Sequence, residues 1–93
     1  MTTLQVLWSK QALRELGVLL DYIRLRDTAS AERLRTTIEH SVERAAEHPF
    51  IHRPGRVPGT REAVVHPNYL YVYAVKGDRL WVLRVLHARQ QYP

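Results

Sequence analysis

The run Gly55-Arg56-Val57-Pro58-Gly59-Thr60-Arg61-Glu62 divides the chain into two halves with different hydrophobic periods. Each glycine follows a proline, in Pro54-Gly55 and Pro58-Gly59. That pairing forms turns and does not match the spacing of a Gly-rich phosphate loop. The segment from Phe50 to Arg61 is therefore expected to be an irregular loop that carries the chain from helices into a sheet. It is not a linker between domains, because neither flank could bury a core alone.

Upstream of the loop the period is helical. Ala12, Leu16, Leu19, Leu20 and Ile23 recur at three- and four-residue intervals, which predicts an amphipathic helix from Lys10 to near Arg26 with Ser9 as N-cap. Gly17 in its middle costs roughly 1 kcal/mol relative to Ala and is expected to permit close approach of a second helix. Asp27-Thr28-Ala29-Ser30 offers cap residues, and Ala31, Leu34, Ile38, Val42 and Ala45 form the stripe of a second helix. Pro49 ends it by removing a backbone donor and pushing His48 out of helical geometry. So short a link predicts an antiparallel hairpin. Ahead of both helices, Leu4 to Trp8 is too short for a helix and is expected to be a strand.

Downstream the period becomes two. Glu62 to His66, Tyr69 to Lys76 and Arg79 to His87 read as strands, joined at Pro67-Asn68 and at Gly77-Asp78, where Gly77 supplies the positive φ of a tight hairpin. Tyr69, Tyr71, Tyr73 and Val75 share one face of the middle strand, and Leu70, Val72 and Ala74 the other. Helices can cover only one of these faces. The second is expected to remain exposed on an isolated monomer and so to call for a partner. The fold class expected is α+β: an N-terminal strand and a two-helix hairpin packed on a mainly antiparallel sheet of three to four strands. Residues 1–93 are read as a single domain.

Ninety-three residues hide only about 60 to 65% of the unfolded surface on folding. An apolar fraction of 45% with 25% charged residues suits an ordered globular domain. The chain has no cysteine, which excludes disulfides, thiolate nucleophiles and Cys-based zinc sites. No basic and apolar leader opens the sequence and no window approaches a membrane span, so a cytoplasmic protein without membrane contact is expected. The formal net charge of +5 is unevenly placed. From Met1 to His48 seven basic and seven acidic residues cancel. From Pro49 to Pro93 seven basic residues (Arg53, Arg56, Arg61, Lys76, Arg79, Arg84 and Arg89) face only Glu62 and Asp78. An Arg-rich surface suits phosphates or an acidic protein partner.

Chemistry, if any, would come from Arg84, His87, Arg89 and Tyr92 with Arg56 and Arg61. Brought together, they could supply a general acid or base and guanidinium stabilisation for metal-free cleavage of RNA through its 2′-hydroxyl. The plainer reading is a group of surface or partner contacts, and spacing alone favours it. His40, His48, His52 and His66 lack metal-ligand spacing and read as structural or solvated; no metal and no cofactor is expected. The tyrosine stripe could stack bases, but strands favour aromatics and the stripe reads first as core. Glu62 is expected to pair with Arg61.

Taken in order, Trp8-Ser9 with Ala12 opening a helix, Asp21-Tyr22-Ile23, Pro49, Gly55 to Glu62, Tyr71-Val72-Tyr73, and Leu83-Arg84-Val85-Leu86-His87-Ala88-Arg89 resemble the RelE/ParE toxins of type II toxin-antitoxin systems. The Gly-Thr-Arg-Glu and Val-Leu-His-Ala-Arg stretches look most like the ParE, or plasmid-stabilisation, branch. The resemblance implies a cognate antitoxin whose C-terminal segment lies across the toxin, with operator DNA reached only through that antitoxin. Leu16, Leu20, Leu80 and Val82 are the antitoxin contacts expected.

RelE-like ribonucleases carry Arg directly after the aromatic that opens the middle strand, whereas Leu70 follows Tyr69 here. They are also rich in Lys, and only Lys10 and Lys76 occur. Arg89 falls where those enzymes place a catalytic Arg. ParE-like members are instead understood to poison DNA gyrase without being enzymes. The expectation is a non-enzymatic gyrase toxin with no favoured catalytic residue, its target or partner contacts drawn from Arg56, Arg61, Leu70, Val72, Arg84, His87 and Arg89. The alternative is a ribosome-dependent messenger ribonuclease using Arg61, Arg84, His87, Arg89 and Tyr92. A third reading is an inactive homologue that binds its antitoxin and contributes to operator repression.

Overall fold

The computed structural model describes residues 2–93. Ser9 opens the first helix as expected: its hydroxyl accepts from the Ala12 amide at 3.0 Å, satisfying one of the donors left over at a helix start. Helix α1 (Lys10–Arg24) stops within two residues of the expected end, and the Leu25 and Arg26 amides close onto the Asp21 and Ile23 carbonyls. Asp27 then caps α2 (Thr28–Glu47), accepting from the Ala29 and Ser30 amides and from the Ser30 hydroxyl, and these hydrogen bonds hold its carboxyl below the usual range. The buried stripe of α2 is the expected one, with Ala46 added.

The sheet differs in two respects from the sequence reading. It has five strands, β1 (Gln5–Trp8), β2 (Arg53–Pro54), β3 (Arg61–His66), β4 (Tyr69–Lys76) and β5 (Arg79–His87), in the order β1-β5-β4-β3-β2. The first strand lies parallel to the last at one edge, pairing Val6 with Leu80 and Trp8 with Val82, while the other ladders are antiparallel. Two residues inside the expected loop, Arg53 and Pro54, form the opposite edge against Glu62 and Arg61. So short a strand, ending in proline, blunts an edge that could otherwise pair with another chain.

On the helix-facing side, Ala12, Leu20, Leu34, Ile38 and Val42 pack against Ala63, Tyr71, Tyr73, Leu80, Val82 and Val85. Burying each large aliphatic side chain contributes about 1.5–3 kcal/mol. The tyrosines are core, and both hydroxyls are satisfied: Tyr71 shares a hydrogen bond with Ser41 at 2.9 Å, and Tyr73 donates to the Pro49 carbonyl at 2.6 Å. Burial pushes the Tyr71 hydroxyl up to about 12.

The second face is covered in part, which narrows the expectation of an exposed apolar sheet: Val64, paired with Leu70 on this face, stays 56% exposed. Leu70, Val72 and Leu86 are buried there, with Tyr92 of the chain's own C-terminal segment packed on them. That segment turns back after β5 through bonds from the Ala88 amide to the Asn68 carbonyl and from the Gln90 amide to the His87 carbonyl.

Gly17 also departs from expectation. It faces open space, with nothing near the position its Cβ would take. Gly17→Ala should stabilise by about 1 kcal/mol, a rise of about 4–8 °C in thermal midpoint, because it removes backbone freedom from the unfolded chain without a clash. At Gly55, by contrast, an added Cβ would overlap the Thr60 hydroxyl inside a turn closed by the bond from the Gly55 amide to the Thr60 carbonyl. Gly55→Ala should lower the thermal midpoint, and scanning calorimetry of both variants checks the opposite signs.

Candidate functional site

Three constructions surround the sheet, and each uses an ion pair or a carbonyl clamp to place its residues. The first lies where β1 leaves β5. Past Trp8 the chain enters α1, and Ser9 takes over as partner to β5: its amide donates to the Val82 carbonyl and its hydroxyl to the Leu83 carbonyl. Six residues on, Glu15 accepts from the Val85 amide at 3.0 Å and from the Arg84 guanidinium at 2.7–3.0 Å. The carboxylate therefore neutralises Arg84 and supplies the acceptor that a longer β1 would have offered to β5. Donating to Glu15 raises the Arg84 guanidinium above its ordinary value.

This clamp forms one wall of a groove of about 420 Å³ between α1 and the end of β5. Val18, Leu19, Tyr22, Tyr69, Val85 and Leu86 line it, with Arg14 and His87 at the rim. Val18 is 67% and Tyr22 52% exposed, so apolar surface continues out of the groove along α1.

The second construction is on the opposite face. Glu62, only 4% exposed, does not pair with Arg61 as expected; neighbouring strand residues point to opposite faces. It accepts from Arg53 at 3.1 Å and from the backbone and guanidinium of Arg56, each at 3.1 Å. Arg56 in turn donates to the Tyr92 carbonyl, and the guanidinium groups of Arg56 and Arg84 lie 5.8 and 5.1 Å from the Tyr92 ring centre.

The third is built by Arg61 on the helix side. Its guanidinium donates to the His52 carbonyl at 2.7 Å and to the Phe50 carbonyl at 3.4 Å, and sits 5.0 Å from the Phe50 ring centre. His52 packs edge-on against Tyr71 and Tyr73, and its buried Nε2 has no hydrogen-bond partner among the described residues. Burial, and secondarily the nearby positive Arg44, lowers its affinity for a proton.

Of the residues singled out from sequence, Arg56, Arg84 and Tyr92 come together. Arg61 and His87 do not join them. Arg61 pairs across the ladder with Tyr73 and His87 with Tyr69, which puts them toward opposite ends of β4 on the helix-facing side. His87 Nδ1 accepts from the Arg89 amide, and Arg89 itself is exposed in the turn after β5. The expected partner contacts need a larger correction. Leu80 and Val82 are wholly buried between sheet and helices, Leu20 nearly so, and Leu16 packs against the same core. Leu70 and Val72 lie beneath Tyr92. Leu70, Val72, Leu80 and Val82 are thus covered by the chain itself. Their alternation marked a sheet with two apolar faces, and which face was covered, and by what, is a tertiary matter. Sequence reasoning passed over Glu15, Val18 and Tyr22. The signal available was that Val18 and Tyr22 are large apolar residues, four apart, off the buried stripe of α1.

The family described as "ParE toxin of type II toxin-antitoxin system, parDE" matches residues 6–92. This chain belongs to the ParE toxin family. It is 36% identical to toxin Y4kP of Sinorhizobium fredii over 94 residues, covering all of this chain and 97% of that one. It is 31% identical to toxin RelE2 of Caulobacter vibrioides over 86 residues, 90% of this chain and 94% of that one. Among solved structures, a chain of the chromosomal ParDE toxin-antitoxin system from P. aeruginosa superposes with a TM-score of 0.79 at 20% identity, over 91% of this chain and 96% of that chain. This ParE-family chain thus shares its fold with that P. aeruginosa chain.

His52 generates a pH prediction. Its proton affinity is lower in the folded than in the unfolded chain, so the unfolded state gains protons first as pH falls below the ordinary imidazole value of 6.5. Stability from this group is full above that pH and is lost below it. The thermal midpoint should fall between pH 7.5 and pH 5 more steeply in the parent than in His52→Phe; parallel pH profiles would contradict this.

Proposed function

We propose that this chain is the toxin of a type II toxin-antitoxin pair, that it arrests growth in the cytoplasm by blocking DNA gyrase without catalysing a reaction, and that a cognate antitoxin silences it. The observation that carries the non-enzymatic reading is the dispersal of the groups a ribonuclease would need. Arg61 is spent on backbone carbonyls, Arg84 on Glu15 and Arg56 on Glu62, while His87 lies toward the far end of the sheet from Arg61. A general acid or base has to reach the reacting atoms within about 3 Å, and cations already paired with carboxylates have less charge to lend a transition state.

The antitoxin is assigned to the α1–β5 groove. Its apolar lining continues onto exposed Val18 and Tyr22, and Arg14 and His87 at the rim suit an acidic segment. The ribonuclease reading retains one observation in its favour, the convergence of Arg56, Arg84 and Tyr92 on the second face.

A supercoiling assay with purified gyrase, run beside primer extension on translated messenger RNA, tests the assignment. Inhibited supercoiling with intact message is the expected result; codon-linked cleavage with normal supercoiling sinks it. Val18→Glu with Tyr22→Glu should weaken antitoxin binding at least tenfold by isothermal titration while leaving growth arrest in place, since the groove serves the antitoxin. Neutralisation unchanged from the parent would remove the groove from that role.

A further inference from the structure

Where β4 begins, Tyr69 stands between two imidazole rings, His66 with its ring centre at 5.2 Å and His87 at 5.5 Å. Each imidazole holds a turn of its own. His66 Nδ1 accepts from the Asn68 amide at 3.0 Å, and His87 Nδ1 from the Arg89 amide at 3.1 Å. The Ala88 amide donates to the Asn68 carbonyl and ties the two turns together. A ring nitrogen that accepts from an amide carries no proton, so in each neutral imidazole the hydrogen sits on Nε2. Both residues are exposed, and their outer nitrogens therefore meet a partner as donors.

We infer that the antitoxin segment passes from the α1–β5 groove over Tyr69 into a second groove, and presents carboxylates to the outer nitrogens of His87 and His66. This rests on the proposed assignment of the first groove to the antitoxin. The second groove, of about 450 Å³, lies between α2 and the β3–β4 connection and is lined by Ile23, Leu34 and Val65 with Arg33 and His66. Tyr69 lines both grooves, so His87 and His66 stand one on each side of their common wall. The carboxylates of α1 and of the start of α2 are already engaged, Glu15 with Arg84, Asp21 with Arg24, Asp27 with Arg33 and Glu32 with Arg35. Neither turn at this end of the sheet contains another. Three arginines here pair with no carboxylate among the described residues: Arg14 in the lining of the first groove, Arg26 at 4.8 Å from the Tyr22 ring centre, and Arg89 in the turn that His87 holds. The local balance is therefore positive, and an acidic segment complements it. A second copy would bring the same unmatched arginines. A phosphate backbone would suit the donors but would leave the apolar walls uncovered, whereas a peptide with acidic and apolar side chains meets both.

Nitrogen NMR of the free, full-length chain at mildly alkaline pH should show both imidazoles as the Nε2–H tautomer; the opposite tautomer at either overturns the inference. Asn in place of His keeps an acceptor near the position of Nδ1 and removes the outer donor, whereas Gln puts an amide nitrogen near the position of Nε2. His66→Asn with His87→Asn should weaken binding of the cognate antitoxin about tenfold by isothermal titration at an unchanged thermal midpoint, and the paired Gln substitutions should recover most of that loss. Exchanging the antitoxin's carboxylates for amides should cost the parent about tenfold and the Asn variant less than about threefold. Asn variants that bind within about twofold of the parent overturn the inference, as do Gln variants no better than Asn, or equal losses on removing the antitoxin's carboxylates. If duplex DNA or single-stranded RNA binds the parent and loses affinity in the Asn variants while antitoxin binding stays, the donors serve a phosphate backbone and the inference falls. Val18→Glu with Tyr22→Glu separates the two readings. Weakened neutralisation there, beside unchanged binding by the Asn variants, sinks the histidine contacts alone; unchanged binding in both sets removes the groove itself.

Discussion

Strand β4 is apolar on both faces, and the rest of the architecture follows from covering it twice. Tyr71 and Tyr73 point one way and Leu70 and Val72 the other, all of them buried. A 93-residue chain with a two-helix hairpin has one helical layer to offer, and that layer goes to the tyrosine side, where Ser41 and the Pro49 carbonyl meet the hydroxyls. The other side is closed by Tyr92 lying between two guanidinium groups. An aromatic ring is suited to this, because it covers Leu70, Val72 and Leu86 while its face receives the cations that ring the sheet.

The arginines explain why a basic ParE-family chain need not be read as a phosphate-binding enzyme. Arg84 is held by Glu15, Arg53 and Arg56 by Glu62, and Arg61 by backbone carbonyls, so most of the charge that looked available in sequence is engaged in construction. Glu15 has a double duty, since it also supplies an acceptor to β5 where the parallel strand β1 has departed. The groove between α1 and β5 is lined in part by the same carboxylate that pairs with Arg84.

Much of this was legible beforehand. Pro49 after a three-four stripe ended α2 in the sequence as it does in the fold, Ser9 announced the start of α1, the Asp27 to Ser30 segment offered the cap that Asp27 provides for α2, and Gly77-Asp78 announced the hairpin between β4 and β5. These are local effects, decided by backbone donors, caps and positive φ within a few residues. The site was far less legible. Leu80 and Val82 carried the apolar signature of a contact surface and turned out to be core, while Val18 and Tyr22, hidden among the residues of an ordinary amphipathic helix, proved to be exposed.

The sequence by itself determined the class of the protein: two amphipathic helices, a change of period at Gly55 to Glu62, a sheet with two apolar faces, and the motifs that place the chain among ParE and RelE toxins. Local propensity and short-range periodicity are sufficient for those. Only the tertiary structure decided that β1 runs parallel to β5, that Glu62 faces Arg56 and not Arg61, and that Arg61 holds Phe50 outward. Those outcomes depend on partners brought together from distant parts of the chain, as Glu15 meets Arg84 across 69 positions. Such pairings leave no periodic trace in the sequence.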